Sequence, residues 1–354
     1  MKLVMLTLAV DDNLQEEGFI VDWVKALARE VEELVVIALK VNPKVTLPTK
    51  VKVYEVPVTH KLGKLWFVFR TLNKEYYLGR IDGVFCHILE TWGVIGGLWG
   101  RLNGVRSVYW YAGGIPIKLF SFLKVAFLMV EVIATCSERE KRRYRQWWGR
   151  QKKVVNLGHA IDIQSFQLIK NRGDEVFTIG YVARATRIKN IDGLIRAFGK
   201  LRIPRRLRLH LALARTNENT IYYRKLRELA KSIANERRKI MISTDLTYRQ
   251  LPDYYRSLDL YVHPSLQTSI DKAALEAVSS GVPVLLSATA YGEVVDTFNQ
   301  VVVSPFNIRQ LARRIESVIQ DYSSFVRYQR PLQQLVRNAY SLHTFMPRLV
   351  KLFS

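Results

Sequence analysis

Cysteine and acid are both scarce in this chain of 354 residues. Two cysteines, Cys86 and Cys136, exclude a disulfide framework and a cysteine-based zinc site, and a reducing cytoplasm is the expected compartment. The 31 acidic residues face 54 lysines and arginines, for a net charge of +23. A balance this basic points to an anionic partner: nucleic acid, a membrane face or a charged substrate. No apolar run approaches the roughly 20 residues of a spanning helix. Met1–Val10 is hydrophobic, but it lacks a small-residue cleavage pattern and runs into Asp11-Asp12, so it reads as a first strand and not a secretion signal. A Walker loop, a Ser-His-Asp set, zinc-ligand spacing, internal repeats and low-complexity segments are also missing.

What is present is a long alternation of apolar strand patterns and amphipathic helix patterns. Such alternation predicts parallel sheets covered by helices, and the length suits two domains. Strands are expected at 3–10, 34–41, 51–58, 83–87, 107–111, 132–135 and 154–156, then at 177–182, 207–214, 239–243, 260–263, 282–287 and 301–303. The expected division is a first domain over 1–166, a polar linker over 167–176, a second domain over 177–322 and a C-terminal helical segment, 323–354, crossing back to the first.

Two segments of the second half carry chemistry. In the first, the strand Leu260–His263 stops at Pro264-Ser265. Thr268, Ser269, Ile270 and Asp271 then lead into a helix over about 271–280, with Thr268 or Ser269 as its cap. Gly281 ends that helix before a strand that starts at Val282-Pro283-Val284. A strand, a polar turn and a helix N-terminus in that order form an anion site, because the first helical N–H groups have no internal partner. Glu276 lies about a turn inside the helix. In the second segment, the strand Phe177–Val182 leads into Arg184 and Lys189, followed by Asn190 and a helical pattern through Ile191, Leu194, Ile195 and Phe198. Two fixed cations here would stabilise the charge on a departing diphosphate.

Together these segments resemble the donor-binding signature of GT-B glycosyltransferases, in particular the retaining family numbered four. Pro264, Ser265, Glu276, Ala277, Gly281, Pro283 and Val284 match the pattern, and Arg184 and Lys189 keep its Arg-to-Lys spacing. The resemblance implies two Rossmann-like domains facing a central cleft. It gives Arg184 and Lys189 the donor diphosphate and Glu276 the ribose. The sequence departs at Thr268, where the family has its first acid, at Asp271, where it has glycine, and at Ala183, also usually glycine. Thr244 and Leu246 fall where the family reads the nucleotide base. The loop Asp11–Gly18 resembles its first glycine-bearing loop, so Gly18 is a donor-side candidate.

The family's first-domain histidine loop is Trp110-Tyr111-Ala112-Gly113-Gly114 here and holds no histidine. His87, at a strand end, is the candidate substitute, set against a plain structural histidine. Tyr291-Gly292-Glu293 matches a supporting segment of the site. No Asp-x-Asp is present, so no metal and no other cofactor is expected, and the nucleotide sugar is itself the substrate.

The implied reaction is retaining sugar transfer from a nucleotide sugar to an unidentified acceptor (lipid, glycan or protein) by a monomer. A GT-B phosphorylase or epimerase remains open. So does a degenerate scaffold that binds membrane or nucleic acid. Nucleic acid is disfavoured, because the Arg184, Lys189 and Glu276 set would have no purpose there. An anionic membrane face is suggested by basic, aromatic-bearing segments at Lys61–Arg80 and around Trp147-Trp148.

Overall fold

The computed structural model describes residues 1–57, 60–112, 122–148, 153–167, 175–214, 220–244, 246–267, 269–287 and 298–354. They form two compact units, Met1–Ala160 with Leu342–Ser354, and Ile161–Ser341.

In the first unit seven parallel strands are ordered β3-β2-β1-β4-β5-β6-β7. These are β1 (Lys2–Val10), β2 (Glu33–Val41), β3 (Val51–Glu55), β4 (Gly83–His87), β5 (Arg106–Trp110), β6 (Val132–Thr135) and β7 (Lys153–Asn156). β1 and β4 are central and read as near-continuous apolar runs, as strands buried on both faces must. Helix α1 (Ile20–Glu30) carries the chain from β1 to β2, one way along the sheet. Helices α2 (Lys61–Leu78), α3 (Glu90–Asn103) and α4 (Phe122–Met129) each carry it the other way. Right-handed crossovers therefore put α2, α3 and α4 side by side on one face and α1 on the opposite face. Contacts of α3 with both α2 and α4 agree.

Glycines set the spacing of this layer. A Cβ on Gly96 would come within 2.4 Å of Cys86 Sγ in the sheet, and one on Gly97 within 2.7 Å of the Met129 backbone. Helix α5 (Glu138–Trp148) follows β6 and is capped by Ser137, whose Oγ accepts from Glu140 N at 3.2 Å.

The second unit has six parallel strands ordered β10-β9-β8-β11-β12-β13. These are β8 (Val176–Arg184), β9 (Arg206–Ala214), β10 (Arg238–Ser243), β11 (Leu260–His263), β12 (Val284–Ser287) and β13 (Val302–Val303). Its helices are α6 (Ile191–Gly199), α7 (Thr220–Ile233), α8 (Leu251–Arg256), α9 (Lys272–Ser279), α10 (Ile308–Gln320) and α11 (Tyr322–Ala339). The thirteen described strands lie within three residues of the expected ones.

The unit boundaries fall elsewhere than the sequence suggested. Residues 161–166 group with the second unit, where the Phe166 ring packs on Tyr248 and Tyr255. Most of the expected linker lies outside the described residues. Helix α11 also stays with the second unit, because the Gln329 amide bonds both the N–H and the C=O of Val284, at 2.8 and 3.1 Å. The final helix α12 (Leu342–Val350) alone returns to the first unit, where Phe345 meets Trp23 of α1 at 4.7 Å.

The Gly97 contact is with backbone, which cannot swing aside. Gly97→Ala should therefore destabilise the protein by about 1–3 kcal/mol, read as a lower urea midpoint. An unchanged midpoint would mean that α3 and α4 are not held this close.

Candidate functional site

β8 and β11 are neighbours at the centre of the second sheet, yet the chain leaves β8 toward β9 on the other side. This reversal is a topological switch point. In open parallel sheets, ligands bind beyond the carboxyl ends of the strands there. The loops that follow β8 and β11 hold Arg184–Asn190 and Pro264–Asp271, the two segments singled out in the sequence.

Backbone and side-chain bonds stitch these loops together. Leu266 N donates to Ile188 O at 2.8 Å, and Ser265 Oγ donates to the same carbonyl at 3.2 Å. Asn190, in the left-handed region at φ 52°, sends its amide to Pro264 O at 3.1 Å and to Pro305 O at 2.8 Å. That conformation suits asparagine better than most residues.

The loops are joined further by charge. Lys189, buried at the end of a short 3-10 turn, donates to Gln267 Oε1 at 2.9 Å and forms an ion pair with Asp271 Oδ2. His263 Nε2 lies 3.2 Å from the same carboxylate oxygen. Burial opposes ionisation of Asp271, but the Lys189 charge and the His263 contact outweigh it. They hold the carboxyl well below the usual carboxylate range. Burial lowers the His263 pKa, so its ring is neutral near pH 7.

Asp271 is also the N-cap of α9, accepting from Ala273 N at 3.3 Å. Asp271, and not Ser269, therefore caps the helix, and Thr268 lies outside the described residues. Where the family pattern has glycine, this chain puts a carboxylate on Lys189. Nothing in the Arg-to-Lys spacing signalled that pairing. The sign was the acid itself, at a position that usually has no side chain.

Glu276 is fully buried one turn further on. Its Oε1 pairs with Lys272, four residues before it, and its Oε2 is 3.1 Å from the Tyr255 hydroxyl. Tyr255 also lies 2.9 Å from Ala273 O, so its one proton serves two acceptors. Burial raises the Glu276 pKa against the pull of Lys272 and Tyr255. Lys272 sits over the Tyr248 ring at 4.6 Å. The sequence reading missed Lys272, Tyr255 and Gln267.

The remaining candidates fall as follows. Arg184 is exposed at the end of β8. Ser269 and Ile270 are buried in the turn, with Gln267 bonded to Ser269. Thr244 and Leu246 are half-buried after β10. Thr268, Gly113-Gly114 and Tyr291–Glu293 lie outside the described residues.

Gly18 and His87 belong to the first unit. Gly18 is buried just before α1, with its N–H on Leu14 O at 3.1 Å. His87 ends β4 without exposed surface, stacked 5.2 Å from Trp110 and tilted against Trp23 at 5.0 Å. Its Nδ1 is 2.9 Å from Thr7 Oγ1. Burial, aided by nearby His159, drops its pKa to about 3. His87 is thus set as a neutral core histidine, the plainer of its two readings.

The fold and this switch-point arrangement define a GT-B protein. Sucrose-phosphate synthase from Thermosynechococcus elongatus superposes with a TM-score of 0.82 at 15% identity, covering 100% of this chain and 98% of that one. HepE from Anabaena in complex with UDP-glucose gives 0.76 at 16% identity, covering 99% and 98%. Residues 176–321, within the second domain, match the family model described as Glycosyl transferases group 1. Mannosylfructose-phosphate synthase of Agrobacterium fabrum is 34% identical over 127 residues, which cover 34% of this chain and 28% of that protein.

Removing one member of a buried ion pair strands the other. Lys189→Ala should destabilise by about 3–5 kcal/mol, and adding Asp271→Ala should restore much of that loss in thermal denaturation. A double variant no more stable than Lys189→Ala would show that the pair is not buried as described. The Asp271 carboxyl is depressed, so its contribution is present above the unfolded value near 4 and is lost as pH falls toward the folded one.

Proposed function

We propose that the protein transfers a sugar from a nucleotide sugar to an acceptor hydroxyl, with retention and without a metal. The observation that carries this is the pair of loops after β8 and β11, holding the Lys189–Asp271 and Lys272–Glu276 pairs beside the end of β8, at the switch point of a domain that matches Glycosyl transferases group 1. In this reading the donor diphosphate lies beyond the carboxyl ends of β8 and β11, between Arg184 and the N-terminus of α9. Arg184 and Lys189 take up the charge that grows on the departing diphosphate. Glu276 accepts from ribose hydroxyls once Lys272 moves aside. No protein nucleophile is required. The acceptor attacks the face that the diphosphate leaves, and the leaving phosphate takes its proton.

Asp271 sets the terms of binding. Its carboxylate already holds Lys189 and the first turn of α9, so a diphosphate must share both with a fixed negative charge. Like charges placed together cost affinity. Asp271→Gly should therefore tighten nucleoside diphosphate binding by about tenfold or more, the equivalent of about 1.4 kcal/mol.

Uridine diphosphate is the first nucleotide to test, because HepE is solved with UDP and with UDP-glucose. In calorimetry against UDP, GDP, ADP and TDP, one base should be preferred. Arg184→Ala should weaken that nucleotide about tenfold without moving the melting temperature, because the side chain is exposed. Glu276→Gln keeps the volume and should also weaken it. A wild-type protein that binds none of the four would defeat the proposal, as would full affinity in both variants.

A further inference from the structure

The first unit carries a surface that the donor site does not use. Helix α2 exposes Leu62, Trp66, Tyr77 and Leu78, and the exposed Arg70 and Lys74 fall on the same arc between them. Next to it, α3 exposes Leu98 and Leu102. Beyond that, α4 exposes Phe122, Val125 and Leu128, a strict three-residue spacing. Arg101 ties α3 to α4 by bonding the Leu128 carbonyl. Of the fourteen exposed large hydrophobics among the described residues, nine lie on this one layer. Scattered single hydrophobics need no explanation, but a layer of adjacent helices that share such a face does.

The charges on the layer have one sign. The three helices carry two acids. Glu75 is fully buried, held by Lys2 at 3.1 Å and by Lys52 and Tyr54 at 2.5 Å each. Glu90 is half-buried in the first turn of α3. Exposed Arg70, Lys74 and Arg101 therefore have no exposed acid among them on these helices. Trp66 and Tyr77 pair an apolar ring with a polar tip, the chemistry enriched where hydrocarbon meets headgroups.

We propose that the outer face of α2, α3 and α4 docks on an anionic lipid bilayer. The apolar side chains enter the headgroup boundary, and Arg70 and Lys74 meet lipid phosphates. No described helix is long and apolar enough to cross a membrane, so the contact lies along the surface. A second copy of the chain is the poorer occupant. Two-fold pairing would press this basic face against itself.

The test is co-sedimentation with vesicles of phosphatidylcholine, with and without phosphatidylglycerol. The full chain should bind the mixed vesicles and bind pure phosphatidylcholine at least tenfold less. Arg70→Gln with Lys74→Gln should lower binding about twentyfold, at roughly fivefold per cation. Trp66→Ser with Leu102→Ser should lower it at least tenfold. Because all four side chains are exposed, the melting temperature should hold. No binding to the mixed vesicles, equal binding to both kinds, or wild-type binding by both variants would overturn the proposal. A dimer in sedimentation that Trp66→Ser with Leu102→Ser dissociates would also overturn it, and would give the face to a second copy. The readout involves no nucleotide, so it stands or falls apart from the donor site.

Discussion

Lys189 and Asp271 come from loops on neighbouring strands of one parallel sheet, and they meet with the lysine buried and the carboxylate largely shielded from water. Burial makes that pairing obligatory, since either charge alone in this place would be costly. Much else follows from it. The pair draws the β8 loop onto the β11 loop, and it fixes His263 and Gln267 around it. It also starts α9 where Asp271 can cap it. The local order of the second domain is thus an electrostatic arrangement laid over a scaffold of strands.

The same pair defines what the site asks of a ligand. Two lysines here, Lys189 and Lys272, are already matched by carboxylates of the protein. A diphosphate would enter a site that is charged, ordered and partly neutralised. Its affinity then reflects exchange of partners and not simple attraction. In the first unit, by contrast, the carboxyl ends of β1 and β4 are packed with rings around His87. Equivalent positions in two similar sheets have been filled by different means, ion pairs in one and aromatics in the other.

Most of the fold was legible in the sequence, because doubly covered parallel strands are apolar runs of fixed length between turn signals. Gly281 stopped its helix as read, at φ 72°. The paired loops were legible by spacing, since Arg184, Lys189 and Glu276 sit in segments that follow two neighbouring strands of one sheet. Side-chain partners were not. Asp271 was read as a departure from a glycine, and its bond to Lys189 spans 82 residues that no local pattern links. His87 looked like a strand-end polar group. Only the surrounding Phe19, Trp23 and Trp110 rings show that it faces the core. The path of the C-terminal segment was also hidden. Amphipathic periodicity gives a helix its buried face but does not say which domain that face meets.

The central claim is that the paired loops of the second domain receive a nucleoside diphosphate. A crystal structure of the protein grown with UDP tests it most directly. The account predicts the diphosphate beyond the carboxyl ends of β8 and β11, against Arg184 and the first turn of α9, with the Lys189–Asp271 contact lengthened or shared. A nucleotide bound elsewhere on the chain, or this pair unchanged with no density beside it at saturating UDP, would contradict it.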